Sequence, residues 1–275
     1  MSGFEISRLV DHALIRSFLN QDTDYAAYAL GDLDPPYAEH AVWFAARESG
    51  EIKALALNYR GLDPQALFVM GDATGVRELL AAGIGTSRVY YAAKAEQEVL
   101  LAEFYELHEV QNMYRMRVTH DAFRPSNSDT VPAHSIANLN SKHVEDILAL
   151  QHRAALVDNR AIHDIAFAPN MVNDGYYCGV VDQDGCLIAV AGTHIVARKS
   201  KIAAVGNVVT DPQHRRRGLA TQVSAAVTAS LIRDGYNLIV LNVKQDNLPA
   251  IATYKKLGYE ITGKFIEGLA ERHDH

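Results

Sequence analysis

Apolar and polar positions alternate along this chain in a rhythm that occurs twice. In the first half, Val42–Ala46 and Ile52–Tyr59 are strand-like runs separated by the polar stretch Arg47-Glu48-Ser49-Gly50-Glu51. In the second, Tyr176–Val181 and Leu187–Val196 flank Asp182-Gln183-Asp184-Gly185. A third run follows in each half, Ala66–Met70 and Ile202–Thr210. Each group reads as an antiparallel hairpin extended by one strand. Between the halves, Arg124-Pro125-Ser126-Asn127-Ser128-Asp129-Thr130 is polar and is closed by Pro132, the composition of a linker. The expected organisation is therefore an internal duplication, with one domain over 1–124, a linker over 125–132 and a second domain over 133–275.

The second half continues with clear punctuation. Asp211-Pro212 ends the third strand, since proline cannot donate to a ladder. A helix is expected from Gly218 to Asp234, with Leu219, Val223, Val227 and Leu231 on one face and Gly235 as its stop. A wholly apolar strand, Leu238–Leu241, follows. Next comes a short helix capped by Asn247, with Pro249 in its first turn and Gly258 at its end. Glu260–Ile266 reads as a last strand. Upstream, His134–Leu139 suits a first strand, and Val144, Ile147 and Leu148 open an amphipathic helix. The predicted order is β-α-(β-β-β)-α-β-α-β.

Composition narrows the class of protein. The 275 residues are 48% hydrophobic and 21% charged, ordinary globular values that allow a sizeable core. The net charge of −7 argues against a general nucleic-acid binder, whose affinity rests on phosphate neutralisation, and suits a cationic or amine partner. The two cysteines, Cys178 and Cys186, flank a turn without facing each other, so free buried thiols are expected. Met1–Asn20 lacks a charged leader before an apolar core, and no apolar run approaches the roughly 20 residues of a membrane span. A cytoplasmic protein without a membrane partner is expected, as monomer or homodimer. No metal is expected.

The chemically informative stretch is Val208-Val209-Thr210-Asp211-Pro212-Gln213-His214-Arg215-Arg216-Arg217-Gly218-Leu219-Ala220-Thr221. It is a strand, a basic turn with one glycine, and a helix N-terminus. The first helix amides have no internal partner, and the macrodipole adds positive charge, so a pyrophosphate fits there. Gly218 lets the backbone approach such a ligand closely. Arginines can take further phosphate oxygens.

Arg215-x-x-Gly218-x-Ala220 resembles the Q/R-x-x-G-x-G/A signature of the GNAT superfamily of acyl-CoA N-acyltransferases. The run from Asn247 through Ala250, Tyr254 and Gly258-Tyr259 resembles that family's second motif. The resemblance spans Ala133 to Phe265. It implies an α/β (α+β) protein of two tandem GNAT-like domains, each a mixed, largely antiparallel sheet flanked by helices, the first of them degenerate. It also implies N-acetylation of an amine, with acetyl-CoA as cosubstrate. Carried over by position, Val208, Val209 and Thr210 would offer backbone groups to the pantetheine arm. Arg215, Arg216, Arg217, Gly218, Leu219, Ala220 and Thr221 would hold the pyrophosphate, and Asn247 the inner arm. Tyr254 would lie near the thioester sulfur and protonate the departing thiolate.

The base is harder to find. Many family members use a carboxylate on the strand before the phosphate loop, yet Ile202–Thr210 holds no Asp or Glu. Asn207 on that strand is able to orient a water or amine, and His194 on the preceding strand is the best titratable candidate, ahead of Glu260 and His163. The first half keeps the strands but loses the loop: Ala73-Thr74-Gly75-Val76-Arg77-Glu78 lacks the signature, and Gly83-Ile84-Gly85 reads as a turn. Two rivals remain: an acyl-CoA-binding regulator without turnover, and a nucleic-acid module using Arg215–Arg217. The isolation of those arginines in an acidic chain speaks against the second.

Overall fold

The computed structural model describes residues 3–125, 136–158 and 167–273. Most of the linker expected at 125–132, the start of the strand expected at His134, and His163 lie outside the described residues. The first series of elements is β1 (Phe4–Arg8), α1 (His12–Leu19), α2 (Ala27–Gly31), β2 (Ala41–Glu48), β3 (Glu51–Tyr59), β4 (Gln65–Gly71), α3 (Ala73–Ala81), β5 (Arg88–Lys94), α4 (Glu98–Ala102) and β6 (Tyr105–Val118). The second is β7 (Ile136–Asn138), α5 (Val144–Asp158), α6 (Asn170–Asp174), β8 (Cys178–Val181), β9 (Leu187–Ala197), β10 (Ile202–Thr210), α7 (Leu219–Arg233), β11 (Leu238–Lys244), α8 (Leu248–Lys256) and β12 (Glu260–Arg272). Leaving short 3₁₀ turns aside, the two series have the same order, β-α-α-β-β-β-α-β-α-β. The fold is mixed α+β, with largely antiparallel sheets flanked by helices, as expected. One short helix in each series, α2 and α6, was not legible from periodicity.

The chain separates into two compact units, Met1–Arg115 with Lys244–Asp246 and Thr262–His275, and Met116–Val243 with Asn247–Ile261. The last strand therefore counts mostly with the first unit, not with the residues 133–261 that precede it. There the strand order is β1-β2-β3-β4-β5-β12-β6. Strand β12 runs antiparallel to β5, from Phe265 opposite Lys94 to Glu271 opposite Arg88. A strand's alternating pattern fixes which face is buried but not which neighbour it joins, so this placement is invisible in the sequence. Pairs β1–β2, β2–β3 and β3–β4 are antiparallel, and β4–β5 is parallel.

In the second unit the order is β11-β10-β9-β8-β7, antiparallel throughout except for the parallel pair β10–β11. Helices cover both faces. Leu219, Val223, Val227 and Leu231 of α7 are all buried, as their four-residue spacing requires. Burial of such side chains stabilises by about 1.5–3 kcal/mol each. Ile147 and Leu150 of α5 pack with Leu139, Val172, Tyr177, Leu187 and Val190 in a second cluster. The β8–β9 turn is held by Asp182, whose Oδ1 accepts from Asp184 and Cys186 N–H groups. That turn leaves Cys186 exposed, so only Cys178 is the buried thiol expected of both. No helix among the described residues is long and apolar enough to cross a membrane.

Candidate active site

Strands β10 and β11 pair only from Ile202–Leu238 to Val205–Leu241. Beyond that point β10 runs on to Thr210 and β11 to Lys244 without further pairing to each other. The two strands part in a wedge, and strand backbone groups on its inner sides lack ladder partners. Three buried side-chain oxygens belong to residues of these diverging segments, Asn207 Oδ1 and Thr210 Oγ1 on β10 and Asn242 Oδ1 on β11. Among the described residues each lacks a hydrogen-bond partner. Unpartnered buried acceptors cost about 1–3 kcal/mol each, so a ligand bearing amide N–H groups fits this wedge. Val208, Val209 and Thr210, all half-buried, form its β10 side.

The wedge leads into the basic turn. Asp211 ends β10 and caps the 3₁₀ turn Pro212–His214 by accepting from the Gln213 N–H at 3.0 Å. Arg153 of α5 donates to Asp211 Oδ2 at 3.0 Å and to the Leu187 carbonyl at 2.9 Å. Burial disfavours the Asp211 carboxylate. Hydrogen bonds from Arg153, the Gln213 N–H and His214 outweigh it and hold its pKa below the usual value. Arg215 makes a two-pronged ion pair with Asp158 at the end of α5, at 2.7 and 2.9 Å. It also approaches the Thr210 carbonyl at 3.4 Å. Helix α5 thus braces the loop through Arg153 and Asp158, neither of which any local sequence pattern singles out.

Past this brace the backbone curls. Arg216 and Gly218 both have left-handed conformations, at φ 63° and 78°. Alternating handedness turns N–H groups toward one side, forming an anion-binding concavity. Gly218 is the N-cap of the 15-residue α7, and no side chain caps this end. Leu219, Ala220 and Thr221 supply its first-turn amides. Arg216 and Arg217 are exposed beside it. The local sequence folds this way because only glycine adopts φ near 80° without strain, while Leu219 immediately anchors the helix in the core.

His194 and Asn207 meet at irregularities of two adjacent strands. His194 is an extra residue on β9, between Thr193 opposite Val205 and Ile195 opposite Ala204. On β10, Asn207 and Val208 together face one residue, because Gly206 pairs with Gly192 and Val209 with Val190. Asn207 is left-handed at φ 51°. A Cβ at Gly206 would fall 2.3–2.6 Å from Cε1, Nε2 and Nδ1 of His194, so the imidazole lies over the bare glycine backbone. Burial lowers the imidazole pKa, and the Asn207 amide opposes that fall. Asn207 Oδ1 nonetheless has no hydrogen-bond partner among the described residues. Burial thus favours the neutral imidazole, which carries one lone-pair nitrogen.

Tyr254 is buried on α8, 7% exposed, with its ring edge-on to Tyr259 at 5.9 Å. Tyr259 shares a 2.8 Å hydrogen bond with Thr228 of α7. Burial pushes the Tyr254 phenol up to about 12. Asn247 caps α8, accepting from the Ala250 N–H at 3.2 Å. Glu260 is exposed.

The first unit repeats the wedge and fills it. Parallel pairing of β4 with β5 stops at Phe68–Ala92, and β4 continues to Gly71. Here the Tyr25 hydroxyl donates to the Val69 carbonyl at 2.8 Å, its ring tilted 32° against Phe68 at 5.0 Å. The N-terminus of α3 is capped by Asp72, whose Oδ1 accepts from the Gly75 N–H at 2.6 Å. A carboxylate already sits where an anion would bind.

Residues 144–259 match the family model described as acetyltransferase (GNAT) family. No curated protein matches the chain. Similar solved structures include a GCN5-related N-acetyltransferase from Sphaerobacter thermophilus, 14% identical over 100% of this chain and 98% of that one, with a TM-score of 0.65. A tandem GNAT protein from the clavulanic acid biosynthesis pathway is 17% identical, covering 99% of both chains, with a TM-score of 0.62. A GNAT-family protein from Novosphingobium aromaticivorans is 20% identical over 89% of this chain and 96% of that one, with a TM-score of 0.60. These likenesses establish the fold over nearly the whole chain. The stretch matched to the acetyltransferase (GNAT) family runs from α5 to Tyr259 and contains the wedge, the braced loop and the uncapped helix.

Proposed function

We propose that the second unit transfers an acetyl group from acetyl-CoA to an amine by direct attack. The observation that carries this reading is the continuity of the wedge with the uncapped α7 N-terminus. The wedge suits the amide-bearing pantetheine arm through Val208, Val209 and Thr210, and the first-turn amides with Gly218 suit the pyrophosphate. Arg215 fixes the loop through Asp158, while Arg216 and Arg217 supply positive charge at the surface. Asn247 holds the start of α8, and so the placement of Tyr254.

In the proposed reaction the amine nitrogen attacks the thioester carbonyl, forming N–C as C–S breaks. One proton leaves the nitrogen for His194, and the departing thiolate takes hydrogen-bond support and then a proton from Tyr254. The products are an amide and free CoA thiol. Thiol release from acetyl-CoA and longer acyl-CoAs across an amine panel tests the reading. Acetyl-CoA with at least one amine is expected to give turnover. Acetyl-CoA binding without thiol release from any amine would favour the regulator, the alternative to which a β10 without carboxylates lends weight.

The first unit is proposed to be a degenerate copy that binds no acyl-CoA. Tyr25 and Asp72 occupy its two anchoring positions with the chain's own atoms. Calorimetry is expected to give one acetyl-CoA per chain. A stoichiometry of two would mean that these contacts yield to the ligand.

A further inference from the structure

We infer that Tyr259, anchored to Thr228 of α7, is a positioning residue that fixes where the Tyr254 hydroxyl stands. It thereby ties the proposed proton donor to the helix whose N-terminus suits the pyrophosphate. The inference rests on the reading of the second unit as an acyltransferase with Tyr254 as acid.

A tyrosine hydroxyl lies on the axis of χ2, so flipping the ring does not move it. Its place is set by the backbone of its own residue and by χ1. Tyr259 bears on both. Its N–H donates to the Tyr254 carbonyl at 3.0 Å, and the Gly258 N–H donates to the Lys255 carbonyl at 3.0 Å. These are the two bonds of a Schellman helix end, with Gly258 supplying the left-handed step at φ 90°. The glycine backbone packs where a Cβ would strike the Ala122 carbonyl. Such ends bring the side chain after the glycine against the residue whose carbonyl it grips. Here that contact is aromatic: the Tyr259 ring lies edge-on to the Tyr254 ring, at 5.9 Å and 61°, an arrangement that ring quadrupoles favour.

The far end of Tyr259 is fixed by donors and acceptors. The Ser224 carbonyl can only accept, so Thr228 Oγ1 donates to it at 2.8 Å. With that proton committed, Thr228 Oγ1 is the acceptor for the Tyr259 hydroxyl, at 2.8 Å. Both residues are buried, which shields the pair from bulk water. Helix α8 has only nine residues, too few to hold its own geometry in water. Asn247 fixes its start, and this chain of contacts fixes its end, where the Arg124 N–H also donates to the Leu257 carbonyl at 3.0 Å. Thr228 lies on the same helix as Leu219, Ala220 and Thr221. The proposed phosphate site and the proposed acid are therefore both referred to one rigid element.

Three variants test this. Tyr259→Phe and Thr228→Val each remove the anchor, and Thr228→Ser keeps it. The first two are expected to lower kcat about 10-fold, within what a small misplacement of a reacting group costs, with acetyl-CoA affinity by calorimetry unchanged. Thr228→Ser should retain wild-type kcat. In a Tyr254→Phe background, Tyr259→Phe should cost nothing further, because a residue acting through the phenol has no effect once the hydroxyl is gone. A residue that only supports the fold would lower kcat equally in both backgrounds. Full kcat in Tyr259→Phe, or a second loss of the same size in the double variant, overturns the inference. Were Tyr259→Phe to unfold, the Thr228 pair decides alone, and equal kcat in Thr228→Val and Thr228→Ser overturns it. Should wild-type protein acylate no amine, or Tyr254→Phe keep full activity, the proposed function or its acid fails, and the placement is read without turnover. Three-bond couplings of the Tyr254 β-protons are expected to report one χ1 rotamer in wild type and averaging in Tyr259→Phe. Identical couplings would overturn the inference.

Discussion

Gly218→Glu is expected to weaken acetyl-CoA binding by at least about 100-fold while leaving the fold intact. Three effects act together at this residue. Its φ of 78° is costly for any residue with a Cβ, by about 1 kcal/mol, which would tilt the first turn of α7. The new side chain would occupy the space through which a pyrophosphate reaches the helix amides. Its carboxylate would cap those amides itself, much as Asp72 caps α3, and repel the ligand's charge. Charge-assisted hydrogen bonds contribute about 1.5–3 kcal/mol each, so losing two of them reaches the stated factor. The fold should survive because Gly218 is exposed and the buried anchor of the helix, Leu219, is unchanged. Calorimetry and a melting curve on the same sample decide the matter. Wild-type affinity in the folded variant would remove this loop from the cofactor site.

Tyr254→Phe carries the second large effect, a fall in kcat of about 10- to 1000-fold with acetyl-CoA affinity and melting temperature nearly unchanged. A phenol held up to about 12 is protonated throughout the neutral range, so its proton is always present. Complete transfer to a thiolate of pKa about 8.5 is uphill by roughly 3–4 units, or about 5 kcal/mol. A hydrogen bond to the forming thiolate is therefore the larger part of what Tyr254 supplies. The gap narrows as the sulfur is itself buried and its pKa rises. Because the ring remains, its edge-on contact with Tyr259 at 5.9 Å is kept. The sign of the pH effect follows as well. A group deprotonating only near 12 adds no alkaline limb to kcat below about pH 10. Full activity in the variant would leave Tyr254 a packing residue.

What the sequence makes legible here is local. Gly218 followed by a buried leucine, Asn247 before a proline, and four-residue apolar spacing on α7 each report on a few neighbouring residues. Those signals locate the helices and the candidate anion site. What stays hidden depends on register between distant strands. The apolar run Leu187–Val196 reads as one smooth strand, yet a one-residue slip within it sets the His194 ring over Gly206. Arg153, Asp158 and Tyr177 sit in ordinary helical and strand surroundings, and only the folded chain brings them to residues 30 to 58 positions away. Three consecutive arginines look equivalent in the sequence. Folding divides them, since Arg215 is spent on Asp158 while Arg216 turns left-handed at the surface. The self-filled wedge of the first unit was legible only as a missing signature. Its physical cause, a tyrosine on a strand carbonyl and an aspartate on a helix end, was not.

The placement of β12 between β5 and β6 bears on how the protein is made. On the ribosome, β5 emerges long before Phe265, its partner at Lys94, has been synthesised. At about 5–20 residues per second that interval is on the order of 10–30 s. Throughout it the first unit lacks an interior strand, and the backbone of Val89–Lys94 stands as an open edge with Tyr91 and Ala93 not yet covered. Open, apolar edges pair with whatever strand is available, including those of neighbouring nascent chains. The residues of the second unit, Met116–Val243 and Asn247–Ile261, are all synthesised within that interval. The unit begun earlier is thus the later of the two to receive its last strand.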